Sequence, residues 1–256
     1  GTWALVETAD RGGALVYRHG VAVTPANAGA DAARAPASTA KSAPSAPPAQ
    51  VPARPAAPAS PVIRGADGTL VWMPGPDDSA QLGAILTNAV GSDPAVVTAE
   101  AIPPSSGAPA GPGINLRVSG RSMLLLSGTY GDVQLEAVLD LTGFQGAAAL
   151  AHHASALDDA GIFQITTQGI ASLVHLRSKR DRQLDQAETR LPPQPMKLVL
   201  SSAGMHIKGM LNGKVLVHAH EAPSPDGSVG LLLDGHGIVR LISLQVEPLR
   251  HAGKAR

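Results

Sequence analysis

The chain has 256 residues, of which 44% are hydrophobic, 16% charged and only 2% aromatic, with 28 Gly and 22 Pro. Twenty basic side chains balance twenty acidic ones, which removes the electrostatic reason to expect nucleic acid or an anionic membrane as partner. There is no Cys, which excludes disulfide scaffolds, thiolate zinc sites and cysteine nucleophiles, and no run of about 18 apolar residues reads as a membrane span.

The chain opens on Gly1 without an apolar leader, so it reads as a processed product or a piece of something longer. In residues 1–23, the β-prone runs Trp3-Ala4-Leu5-Val6 and Ala14-Leu15-Val16-Tyr17 flank Asp10-Arg11-Gly12-Gly13, a hairpin signature. An isolated hairpin is marginal in water, so this one is expected to pair with an upstream domain or to dock on the later one. Residues 24–61 are dominated by Pro and Ala, with only Asp31, Arg34, Lys41 and Arg54 charged. Such a stretch lacks the apolar surface to offset its ordering entropy and reads as a disordered, partly polyproline-II linker. A linker of that kind suits a tethered extracytoplasmic module: periplasmic, surface-bound or secreted.

Residues 62–113 form a lead-in. Val62-Ile63-Arg64 and Thr69-Leu70-Val71-Trp72-Met73 flank Gly65-Ala66-Asp67-Gly68, a second hairpin signature, and Leu82–Val90 reads as a short helix or a strand. From 114 to 250 the pattern clears, ahead of a tail at 251–256. Val133, Leu135, Ala137, Leu139 and Leu141 alternate with Asp132, Gln134, Glu136 and Asp140, the pattern of a half-buried strand. Further short strands are expected at 114–119, 122–127, 146–151, 161–167, 170–176, 196–201, 204–210, 214–220, 228–233 and 237–247. Turn residues separate them and helical periodicity is lacking, so the fold class is all-β: an antiparallel jelly-roll β-sandwich preceded by the linker and the N-terminal hairpin.

Several segments, in this order, carry a family resemblance. Gly128-Thr129-Tyr130-Gly131-Asp132-Val133-Gln134-Leu135 opens a long strand, followed by Gly161-Ile162-Phe163-Gln164-Ile165 and Leu173-Val174-His175-Leu176-Arg177. Met205-His206-Ile207 precedes Leu211-Asn212-Gly213-Lys214-Val215, and Gly227-Ser228-Val229-Gly230-Leu231 and Ile242-Ser243-Leu244-Gln245-Val246 close the series. The region resembles a laminin-G-like domain of the concanavalin A-like lectin/glucanase superfamily and is similar to 3-keto-disaccharide-hydrolase-like domains. The resemblance implies two curved sheets. Glu136 and Asp140 stand at i and i+4, where glucanase members carry closely spaced catalytic acids, but no third acid lies between them, and no catalytic residue is carried over.

One constellation depends on strand register. A three-residue loop, Leu211-Asn212-Gly213, would pair Met210 with Lys214, put Ile207 and Met205 on the core side opposite Val217 and Ala219, and set His206 facing His218 with His220 diagonal. Three imidazoles can form the platform of an open zinc site, or they can be surface residues of a polar face. His152-His153 and Asp158-Asp159 follow another strand. Adjacent strand residues point oppositely, so the two His are expected on a solvated loop, with a calcium ligand at Asp158 or Asp159 as the other reading. Arg177, Lys179 and Arg180 belong to the one dense basic run. It is either a solvated hairpin tip or a contact for a sulfated or uronic glycan, which the laminin-G resemblance implies. Tyr130 and Phe144 line a groove or pack into core and turns, and Phe163 reads as core.

The reading is a non-catalytic cell-envelope binding module for a glycan or protein partner, with no nucleic acid, no membrane span and no cofactor demanded beyond the zinc or calcium readings. The alternatives are a glycoside-cleaving or metal-dependent enzyme of the same fold, and a structural assembly domain. No Gly-x-Ser-x-Gly occurs, and Gly107–Gly113 holds Pro where a phosphate loop needs N–H donors.

Overall fold

Val133, Leu135, Ala137, Leu139 and Leu141 are buried, while Gln134, Glu136 and Asp140 between them reach solvent. One face of this strand therefore packs inward and the other meets water. The computed structural model describes residues 62–100, 112–178 and 180–249, all within the compact unit Ala53–Arg256. The hairpin and linker expected over 1–23 and 24–61, and the tail over 251–256, lie outside the described residues.

The first elements are β1 (Val62–Arg64), β2 (Leu70–Trp72), a 3₁₀ turn (Asp78–Gln81), α1 (Leu82–Ile85), β3 (Leu86–Asn88) and β4 (Val97–Glu100). The sandwich proper continues with β5 (Ile114–Leu126), β6 (Val133–Ala156), β7 (Asp159–Thr166), β8 (Ile170–Leu176), β9 (Arg182–Glu188), β10 (Met196–Ala203), β11 (His206–Leu211), β12 (Lys214–His220) and β13 (Ser228–Pro248). Every pairing between these strands is antiparallel.

The long strands β5, β6 and β13 belong to two layers. The first half of β6 pairs with β10, which leads to β11 and β12; its second half pairs with β7, which leads to β8 and β9. The layers face each other: a Cβ added at Gly209 of β11 would lie 2.2 Å from the ring of Phe163 on β7. The result is an antiparallel jelly-roll sandwich. Between the layers lie Leu116, Leu135, Leu139, Leu150, Phe163, Leu198 and Leu231, all at or near zero exposure. The second layer is apolar on its other face too, where Met123, Leu125, Ala151, Ile162 and Leu232 form a separate cluster. Burial on both faces explains the unbroken apolar runs at 123–126, 148–151 and 229–233.

Three strands expected as pairs of short pieces are continuous here, because the sequence breaks at glycines that the strands absorb. Gly120, Gly235 and Gly146 are register partners in one row across β5, β13 and β6. At Gly146, with φ 144°, a Cβ would lie 2.2 Å from the carbonyl oxygen of Asp234. Glycine thus lets the strands approach closely where they pass from one layer to the other. Sequence reading also missed β9, a polar edge strand that begins at Arg182, where the basic run read as a hairpin tip ends. The Leu82–Val90 segment is both of its expected forms in succession, α1 and then β3. No described helix is long and apolar enough to cross a membrane.

Candidate functional site

Strands β6, β8 and β10 each carry a polar residue at the next inward-facing position after an apolar pair. His152 follows Ala148 and Leu150 on β6, His175 follows Ala171 and Leu173 on β8, and Ser202 follows Leu198 and Leu200 on β10. The intersheet core therefore ends in a polar recess of about 240 Å³. Its lining includes Asp132, His152, His153, Ser202, Glu221 and Asp226. This stepwise continuation of period two was visible in the sequence and is the signal that sequence reading overlooked.

The expectation that His152 and His153 sit on a solvated loop is overturned. His152 is 3% exposed, and His153 adopts φ 49°, a left-handed bulge in β6 that turns its ring back toward the same recess. The alternation rule fails because one bulged residue cancels it. The two rings lie 4.8 Å apart, and Ser202 Oγ is 3.5 Å from His153 Nε2. Between His152 and His175 the intervening strand has Gly161, whose added Cβ would fall 2.2 Å from His152 Nε2. The missing side chain is the slot that admits the ring.

Electrostatics follow burial. His152 is pushed down to about 3, first by desolvation and then by His153 and His175. His153 is lowered by desolvation, partly offset by a backbone hydrogen bond at Pro225 and by Asp226 and Asp132. His175 is lowered by desolvation and then by Arg177 and Arg182. Its Nδ1 lies 3.0 Å from Glu221 Oε1, the same oxygen that the Arg182 guanidinium meets. Among the described residues His152 Nδ1 has no hydrogen-bond partner. The recess thus offers neutral imidazole, hydroxyl and carboxylate groups, chemistry suited to hydrogen-bonding a polyhydroxylated ligand.

Beyond the Arg182–Glu221 pair lies an open groove of about 770 Å³ lined by Arg177, Arg180, Asp181, Arg182 and Gln183. Arg177 and Arg180, singled out from sequence, are on it; Lys179 lies outside the described residues. Tyr130 is not a sugar platform. It is 8% exposed and packs in the core, and burial raises its hydroxyl above the ordinary range. Phe144, 4% exposed, is core as well. Glu136 accepts from Gln134 and pairs with Lys197, and Asp140 accepts from the Thr142 N–H, so both acids are engaged away from the recess.

The histidine trio forms, by a different register. Asn212 and Gly213 make a two-residue turn with φ 48° and 81°, pairing Leu211 with Lys214 instead of Met210 with Lys214. Asn212 is pinned on both sides of Lys197: its N–H donates to the Lys197 carbonyl, and its Oδ1 accepts from the Lys197 N–H. The one-residue slip that the hydrophobic pattern requires falls instead at a bulge, where Met210 pairs Val215 and Gly209 pairs Val217. Ile207, Val217 and Ala219 face the core, while His206 faces His220 and His218 stands diagonal, opposite Lys208. All three rings are exposed, with one ligand atom from each lying within 4.8 Å of the others. His218 is held below its ordinary value by partial desolvation and by His220, Lys208 and His206. Asp158 and Asp159 join no comparable group among the described residues.

The sequence matches no protein-family model, and no curated protein matches it. Among solved structures the chain is similar to the carbohydrate binding module CBM66 from Bacillus subtilis, at 16% identity and TM-score 0.47 over 52% of this chain and 86% of that one. It is similar to Bacillus licheniformis beta-glucanase at 9% identity and TM-score 0.48, over 65% and 92%. A third is Caenorhabditis elegans galectin LEC-6, at 17% and 0.38 over 53% and 90%. The likeness is one of fold and transfers no residue role.

Proposed function

We propose that the sandwich is a glycan-binding module for an acidic sugar chain and that it acts outside the cytoplasm. The observation that carries this is the continuity of two surfaces: the hydroxyl-binding recess and the arginine groove adjoin at the Glu221–Arg182 pair. Drug-sized pockets run to roughly 300–1,000 Å³, so the recess suits a single sugar ring rather than a long stretch of chain. Arg177 and Arg180 then meet a carboxylate or sulfate on the neighbouring ring, a role for which the guanidinium fork is shaped. With Tyr130 and Phe144 buried, the described residues lining the recess and groove include no Trp, Tyr or Phe face, so recognition rests on hydrogen bonds and charge. The extracytoplasmic placement rests on the Pro/Ala composition of residues 24–61. An assembly role is less favoured, since among the described residues the exposed large apolar side chains are divided between the β1–β2 hairpin (Ile63, Met73), the chain just past β3 (Val90) and the β11–β12 hairpin (Met205, Val215).

Calorimetric titration with polyuronate, sulfated and neutral oligosaccharides of equal length tests the reading. Acidic oligosaccharides should bind, more weakly as salt rises, with Arg177→Glu/Arg180→Glu lowering affinity at least tenfold and Asp226→Asn weakening the sugar-ring contribution. Equal binding of neutral and acidic oligosaccharides, or binding untouched by the arginine changes, would overturn it.

A further inference from the structure

The outer face of β11 and β12 carries a feature that glycan binding does not use. Ile207 lines the recess from the inner side, whereas His206, His218 and His220 project from the opposite face of the same two strands. We infer that these three side chains form a binding site for a single zinc ion, separate from the glycan recess and independent of it.

Spacing is the first support. Zinc–imidazole bonds of about 2.0–2.1 Å at tetrahedral angles set neighbouring ligand nitrogens about 3.4 Å apart. His206 Nδ1 and His218 Nε2 are 3.4 Å apart already. The third imidazole completes a set within 4.8 Å, and rotation of exposed rings closes the remaining gap without moving the backbone.

Rigidity is the second. His206 and His220 are direct cross-strand partners, and His218 shares a face with His220 two residues away. The tight Asn212-Gly213 turn anchored to Lys197 and the bulge at Leu216 together hold this register. On the free edge of β12 the His218 N–H donates to Asp185 Oδ2 at 2.8 Å, tying the strand to β9. The ligands thus stand on braced strands, where geometry is held better than on loops.

The donor set is the third. Three imidazole nitrogens, with no carboxylate in the set among the described residues, suit a borderline cation such as zinc and not calcium or magnesium. With three protein ligands the fourth coordination position faces solvent and takes water, the arrangement of an open rather than a closed structural zinc. Lys208 sits opposite His218 on this face, and its positive charge opposes the cation without supplying a ligand.

Equilibrium dialysis of the full, tag-free chain against zinc at neutral pH tests the site. Wild type should take up one equivalent, His206→Ala and His218→Ala should each weaken uptake at least tenfold, and Lys208→Gln should tighten it. His175→Ala, at the recess, should leave uptake unchanged. Circular dichroism confirms that each variant is folded, which the exposure of these rings leads one to expect. Failure to bind zinc, or equal binding by wild type and the His206→Ala/His218→Ala/His220→Ala variant, would overturn the site. Glycan titration in chelator is a separate readout, so loss of either activity leaves the other to stand or fall alone.

Discussion

The molecule holds two histidine clusters on strands of the same sandwich, and they differ in the face from which they project. His152, His153 and His175 stand at the polar end of the intersheet core, where desolvation favours their neutral forms. His206, His218 and His220 stand on an outer face, exposed and close to one another on strands of braced register. An identical side chain is therefore a fixed, uncharged hydrogen-bonding group in one place and an available electron-pair donor in the other. Residue type does not separate these roles; the face from which each ring projects does, with the bulge at His153 turning that ring to the recess.

Acid should separate the clusters most strongly. An ordinary imidazole in the unfolded chain binds a proton near pH 6.5, but folded His152 refuses one until about pH 3. The fold therefore loses stability as pH falls through this window, by about 1.4 kcal/mol per unit, or about 3 kcal/mol between pH 7.5 and 4.5. Urea denaturation across that range measures it. His152→Asn should flatten the slope whatever its absolute stability, whereas His206→Ala should leave it in place. An unchanged slope in His152→Asn would assign the acid sensitivity elsewhere.

Filling the slot beneath the buried ring comes next. Gly161→Ala places a methyl 2.2 Å from His152 Nε2 and should cost about 2 kcal/mol, as overpacking of a tight interior does. A cost below about 0.5 kcal/mol would mean that the ring has free space. Smallest is the effect on the open face: His206→Ala or His218→Ala should change metal-free stability by less than about 0.5 kcal/mol, since neither ring is buried. A larger loss would show that the trio is structural and would remove the contrast between the clusters.

Much of the sandwich was legible because alternation is local. The strand from Val133 to Leu141, the hairpin around Gly65–Gly68 and the shared face of the three exposed histidines all follow from period two and turn chemistry. The continuous strands were not legible, because Gly120, Gly146 and Gly235 read as breaks until their alignment in one row across three strands is known. Strand β9 escaped for the opposite reason: an edge strand satisfies its backbone on one side only and keeps a polar sequence.

By itself, then, the sequence determined an all-β sandwich, a basic run near Arg177 and a parity that gathers His206, His218 and His220 on one face. Tertiary structure decided where the required slip in that hairpin falls, since a two-residue turn is held by Lys197 on β10, the strand that flanks the hairpin. It also decided that His153 turns inward beside His152, because a single left-handed residue at a bulge reverses the direction that alternation assigns. The local pattern sets which side chains share a face. Contacts from outside each hairpin, such as Lys197 on Asn212, brace the register, and the bulges decide which of those faces becomes a site.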